Sequence, residues 1–182
     1  MLRNKDLLRQ YDLSSVKSMF TGAAPLGAET ADELHKLFPS WAIRQGYGQF
    51  YPLFIRNLRL ILPAGLTETA TVVCSTSPLD IWFGSSGNLI PGVEARIVDP
   101  DGKEITEYDK PGELVVRSPS VVLGYLNNEK ATKETFFDGW MKTGDVAMIR
   151  VGPKKTEHVF IVDRIKELIK VKVRPTFWDG PL

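Results

Sequence analysis

Lys142, Thr143, Gly144 and Asp145 stand in a row, with Asp163 and Arg164 after them and the charged, apolar run IKELIKVK at 165–172. A glycine at 144 permits a tight backbone turn that presents the Asp145 carboxylate outward. An ionised carboxylate only accepts hydrogen bonds, so it can take two neighbouring hydroxyls at once. A ribose 2′,3′-diol supplies such a pair, and the group reads as a nucleotide site. Taken alone, Thr-Gly-Asp is usually an ordinary turn, because Gly and Asp favour turns for reasons unconnected with ligands.

Other chemistries have little to work with. Lys and Arg number 23 against 22 acids, a net charge of +1 that offers no footprint for nucleic acid or an anionic membrane. Cys74 is the one cysteine, which excludes a disulfide framework and a thiolate metal cluster, and reads as a small buried hydrophobe. His35 and His158 lack a partner at metal-ligand spacing, so no zinc site is expected and both read as surface or capping residues. The N-terminus lacks the basic, apolar, small-residue order of a signal peptide, which with the lone thiol points to an intracellular protein.

The elements that must position the candidate site follow from periodicity. Residues 16–20 read as a strand ending in the loop GAAPLG at 22–27. Ala28, Ala31, Leu34, Leu37 and Phe38 recur at helical spacing until Pro39 and Ser40, and 41–44 reads as the next strand. Strand, helix, strand implies a parallel α/β layer. Past Pro78, short β-like runs at 93–98, 113–117 and 121–125 alternate with Pro-Gly, Asp-Gly and Asn-Asn turns, the pattern of an antiparallel β-rich lobe. A short helix is expected over 128–135, capped by Asn127 or Asn128, with further strands at 159–162 and 167–171. The fold class is α/β: the end of an α/β subdomain over 1–81, a β-rich subdomain over 82–162, a hinge segment over 163–172 and a tail over 173–182. Two stretches, QFYPLFIRNLRLILPAG at 49–65 and VRPTFWDGPL at 173–182, show neither strand alternation nor helical period. The first is too rich in Pro and Arg, and too short, for a membrane-spanning helix, which needs about 20 mostly apolar residues.

With 49–65 set aside, its flanks join as RQGYG (44–48) and LTET (66–69). Together with TGAAPLG (21–27), GELVVRSPS (112–120), Gly124-Tyr125, GWMKTGD (139–145) and VDRIKELIKVK (162–172), the chain resembles the adenylate-forming superfamily. The nearest types are 4-coumarate:CoA ligase, acyl-CoA synthetases and firefly luciferase. The resemblance implies activation of a carboxylic acid by Mg-ATP to an acyl-adenylate, then transfer to coenzyme A with release of AMP. It implies that Thr67 donates to the α-phosphate, that Glu68 holds Mg²⁺, and that Gln45, Gly46 and Tyr47 line the adenine site. Asp145 takes the ribose hydroxyls with Arg164 assisting, and Gly22, Ala23 and Ala24 form the wall between adenine and acyl pocket. Lys166 corresponds to the hinge, and Lys170 to a residue used after lid rotation. GAAPLG also mimics a Walker loop, but Ala28 and Glu29 stand where Lys and Ser or Thr are required, so that reading is rejected.

Three departures qualify the expectation. The family's Ser/Thr/Gly-rich phosphate loop and its lid-domain lysine have no counterpart in these 182 residues, so this chain alone is not expected to catalyse. The stretch at 49–65 separates Tyr47 from Thr67 and Glu68, and is tolerable if its ends stay close, since closure entropy grows slowly with length. Both odd stretches are expected to be translated introns: the first preserves frame and lies between glycines whose codons can carry splice borders. The alternative to a ligase fragment is a catalytically inactive nucleotide- or partner-binding protein, or a truncated product without function. The compartment, cytoplasmic or peroxisomal, is left open.

Overall fold

The computed structural model describes residues 5–8, 10–22, 26–47, 51–55, 58–62 and 67–165. Ala23, Ala24, Lys166, Lys170, the strand expected at 167–171 and the tail lie outside the described residues.

After a single helical turn, α1 (Lys5–Leu8), the chain forms β1 (Ser18–Thr21), α2 (Ala28–Leu37) and β2 (Ala42–Tyr47). β1 and β2 run parallel, as the strand, helix, strand order requires. α2 turns Ala31 and Leu34 inward against Ile43 of β2. Glu29 in its first turn and Lys36 in its last complement the helix dipole. Trp41 then stacks on Phe38 at 4.0 Å, fixing the corner into β2.

The stretch at 49–65 is a finding against expectation, because it holds two paired strands. β3 (Tyr51–Ile55) and β4 (Leu58–Leu62) form an antiparallel two-stranded sheet of their own. A nearly continuous apolar run hides the alternation by which a strand is recognised, which is why periodicity missed it. The excursion returns to its origin. A 3-10 turn, Thr67–Thr69, leads to Val73, whose N–H donates to the Tyr47 carbonyl at 3.2 Å. β5 (Cys74–Ser75) then pairs antiparallel with the end of β2, Cys74 opposite Tyr47, and β6 (Asn88–Leu89) completes a four-stranded sheet in the order β1-β2-β5-β6.

The second sheet is antiparallel and six-stranded: β7 (Glu94–Val98), β8 (Glu104–Ile105), β9 (Gly112–Arg117), β10 (Phe136–Phe137), β11 (Trp140–Val151) and β12 (Glu157–Arg164), in the order β10-β11-β9-β7-β8 with β12 also on β11. In central β9, Leu114, Val115 and Val116 are all buried. Leu114 and Val116 face the main core with Cys74, Met141 and Val159, whereas Val115 packs under Trp140. Arg96 and Arg117 cover the Trp140 ring at 4.2 and 4.7 Å, so the strand is roofed on both faces and shows no alternation. The run at 121–125, expected as a strand, is instead a loop leading to α3 (Glu129–Thr135). Pairing there is replaced by turn bonds such as Val121 N–H to Ser118 O. α3 has its expected cap: Asn128 accepts from Ala131 N–H at 3.1 Å. The two sheets meet through β12, where Val159 exchanges hydrogen bonds with Ser86 and Gly87.

Candidate nucleotide site

The site is built where β2 ends and β11 bulges. The expected free turn at Gly144 is not a turn between strands, because β11 runs through it. Opposite β9, Lys142 pairs with Val115 and Val146 with Glu113, so two extra residues are accommodated on β11. Thr143 repairs the broken ladder: its hydroxyl donates to the Leu114 carbonyl at 2.7 Å and accepts from Asp145 N–H at 3.1 Å. Gly144 sits at φ +72° with open space around the position of a Cβ, so backbone conformation rather than crowding selects glycine there.

The bulge aims Asp145 inward. Its carboxylate accepts from the Tyr47 hydroxyl and forms an ion pair with Arg164 Nε at 3.2 Å, and the residue is 3% exposed. Arg164 is its ladder partner on β12 and is largely exposed. An almost fully buried carboxylate with a neutral phenol and a solvent-facing guanidinium retains acceptor capacity, since about four lone-pair directions are available and two are occupied. Burial, and then the Asp145 charge, push the Tyr47 phenol well above its ordinary range. Cys74, opposite Tyr47, is fully buried, and burial pushes its thiol up to about 12.

Gln45 and Gly46 precede Tyr47 on β2. Gln45 is buried, accepts from Leu26 N–H at 2.8 Å and donates to the Leu26 carbonyl at 3.0 Å, holding the downstream end of the Gly22 loop to the sheet. Gly46 pairs with Ser75, and Gly22 directly follows β1. Thr67 and Glu68 begin the 3-10 turn, outside the Tyr47–Asp145–Arg164 cluster. Thr67 is exposed; Glu68 is half-buried and its carboxylate accepts from the Tyr125 hydroxyl at 2.7 Å. A half-buried carboxylate with a neutral donor on one oxygen is a fit for a hard divalent cation, which prefers oxygen ligands.

His158 corrects the reading of it as a surface or capping residue, for it is fully buried. Its Nδ1 meets Ser85 Oγ at 3.0 Å and its Nε2 meets Asp80 Oδ2 at 3.1 Å and Thr156 Oγ1 at 3.3 Å. Those partners satisfy a ring that burial would otherwise penalise. The set has the composition of a nucleophilic triad but not its use: Ser85 is buried and already accepts from Gly87 N–H at 2.8 Å. No sequence signal links 80, 85 and 158. His35 is exposed, at the edge of Phe83.

Known proteins similar to this chain share one chemistry of nucleotide use. The signature of the AMP-binding enzyme family matches residues 54–126. The acyl-CoA ligase cm3C of Cordyceps militaris is 44% identical over 93% of this chain and 24% of its own length. The chain is similar to members of the adenylate-forming superfamily. 4-Coumarate-CoA ligase 5 of Oryza sativa subsp. japonica is 34% identical over 94% of the chain and 29% of its own length. The crystal structure of the anthranilate CoA ligase AuaEII in complex with anthranoyl-AMP superposes with a TM-score of 0.68 at 25% identity, over 86% of this chain and 26% of that one. The α/β fold class is therefore that of the superfamily, and the chain spans about a quarter of the length of these adenylate-forming relatives. Among the described residues no helix is long and apolar enough to cross a membrane.

Proposed function

We propose that this chain carries the AMP-binding part of an ATP-dependent acyl- or aryl-CoA ligase, with Asp145 as the acceptor for the ribose hydroxyls. The observation that supports it is the convergence of Tyr47, from the end of β2, and Arg164, from β12, on a buried Asp145 carboxylate. Three segments of the chain build one acceptor site. Gln45, Gly46 and Tyr47 line the adenine side, and the Gly22, Ala23 and Ala24 backbone forms the wall toward the acyl group.

Thr67 is proposed as a donor to the α-phosphate and Glu68 as the ligand of Mg²⁺. When bound, that ion offsets charge developing on the phosphoryl oxygens. This chain's own groups bind and orient: Asp145 fixes the ribose, and Arg164 balances its charge from the solvent side. The whole protein's reaction is proposed to be formation of an acyl-adenylate from a small carboxylic acid and ATP, then thioester formation with coenzyme A. Lys166 serves as the hinge, Lys170 acts after lid rotation, and the two sheets form the two subdomains that meet the hinge. An intracellular location, cytoplasmic or peroxisomal, accompanies this proposal.

The test is calorimetric titration of the chain with AMP. Binding that falls at least about tenfold in Asp145→Ala, as expected when a buried group loses a charge-assisted partner, supports the proposal. Equal affinity in both proteins overturns it.

A further inference from the structure

We propose that Tyr125 is a positioning residue for Glu68: its phenol ties down one carboxylate oxygen and leaves the other for the metal ion that accompanies the nucleotide. The inference rests on the reading of Glu68 as the metal ligand. Glu68 stands on a 3-10 turn of only three residues, and that turn does nothing to orient a side chain with three free torsions. The loop at 121–125 does. It grips Glu68 twice, with Val122 N–H donating to the Glu68 carbonyl at 2.8 Å and the Tyr125 hydroxyl donating to Oε1 at 2.7 Å. Among the described residues, no other side chain donates to that carboxylate.

The loop is itself held. Tyr125 N–H donates to Thr132 Oγ1 at 2.9 Å, and the same hydroxyl donates to the Asn128 carbonyl at 2.8 Å at the capped start of α3. A Cβ on Gly124 would lie 2.6 Å from Thr132 Cγ2, so a glycine lets the loop close onto the helix. The Tyr125 ring leans on Phe136 of β10 at 5.7 Å. A tyrosine has two side-chain torsions against the glutamate's three, and the anchored backbone and the Phe136 contact restrict them, so it steadies a more flexible carboxylate.

The chemistry of the donor matters. A lysine or arginine at this place would neutralise the carboxylate and compete with a dication. A phenol orients the carboxylate and leaves its charge intact. Magnesium is usually held by only one or two carboxylates and keeps several waters, so one free, well-aimed oxygen is what it needs.

The test uses the full chain with two readouts: affinity for AMP without metal, and Mn²⁺ affinity of the ATP complex by electron paramagnetic resonance. Tyr125→Phe keeps the ring against Phe136 and removes the donor. It is expected to weaken Mn²⁺ binding about 10–100-fold, the usual effect of losing a partner of a metal ligand, with metal-free AMP affinity unchanged. Thr132→Val, which loosens the anchor of the loop, is expected to give a smaller loss of the same kind. Unchanged Mn²⁺ affinity in Tyr125→Phe, with AMP still bound, overturns the role of Tyr125 and leaves the nucleotide site standing. An equal loss in both readouts also overturns it, since that is what a purely structural role would produce. Absence of metal-free AMP binding in the unsubstituted chain overturns the nucleotide site and this inference together.

Discussion

Replacing Tyr47 with Phe removes one hydroxyl and leaves the ring against the main core. The hydroxyl donates to a carboxylate that is 3% exposed, so water does not replace it. Hydrogen bonds to charged groups contribute about 1.5–3 kcal/mol, and that is the loss expected for Tyr47→Phe. Arg164 does not compensate: its side chain is 61% exposed, and a pair of that kind is worth about 0–1 kcal/mol. For a chain of this size each kcal/mol lowers Tm by roughly 2–4 °C. The assay is urea unfolding at neutral pH of the parent, Tyr47→Phe, Asp145→Asn and the double variant. A coupling of about 1.5–3 kcal/mol is expected between the two positions, and a coupling below about 0.5 kcal/mol would refute the reasoning. Functionally, Tyr47→Phe frees an acceptor position on Asp145, so it is expected to spare AMP binding where Asp145→Ala abolishes it.

Other consequences are open to the same kind of check. Gly144→Ala places a side chain at φ +72°, and a loss of about 1–2 kcal/mol is expected; an unchanged urea midpoint would contradict the bulge geometry. His158→Ala strips partners from buried Ser85 and from Asp80, and should cost about 3 kcal/mol or more, read as a fall in Tm. The Cys74 thiol is pushed up from 9.0 to about 12, so between those values the unfolded chain has released a proton that the folded chain retains. Stability is then fully present below pH 9 and falls as pH rises, by about 4 kcal/mol at most from this group. Tyr47, raised for the same reason, adds a loss of the same sign above its ordinary value. Cys74→Ala is expected to flatten the alkaline slope between pH 9 and 12, and an unchanged slope would count against burial of the thiol.

The readable parts of the sequence were those in which local order carries the information. The helical spacing from Ala28 to Phe38 gave α2 and its inward face, and Asn128 marked the start of α3, because period and cap chemistry act within a few residues. Thr-Gly-Asp was legible as a special backbone conformation at Gly144, but not as a bulge, and Asp145 points inward rather than outward as expected. A strand that continues on both sides of a bulge leaves no mark except its pairing partner, here β9. Periodicity also failed over 51–62, where apolar residues stand at successive positions within β3 and β4. The partners lying far along the chain were illegible. Tyr125 is 57 residues from Glu68 and His158 is 73 from Ser85, and nothing in either neighbourhood names the other. Their pairing exists only after β12 has joined the two sheets and the loop at 121–125 has docked on the 3-10 turn.

The most direct measurement is the affinity of the chain for AMP set beside that for its 2′,3′-dideoxy analogue, in the parent and in Asp145→Ala. If Asp145 accepts the ribose hydroxyls, the parent prefers AMP by at least about tenfold, the worth of a charge-assisted hydrogen bond, and Asp145→Ala binds the two nucleotides alike. Equal affinities in the parent, or a preference for AMP that survives in Asp145→Ala, would contradict it.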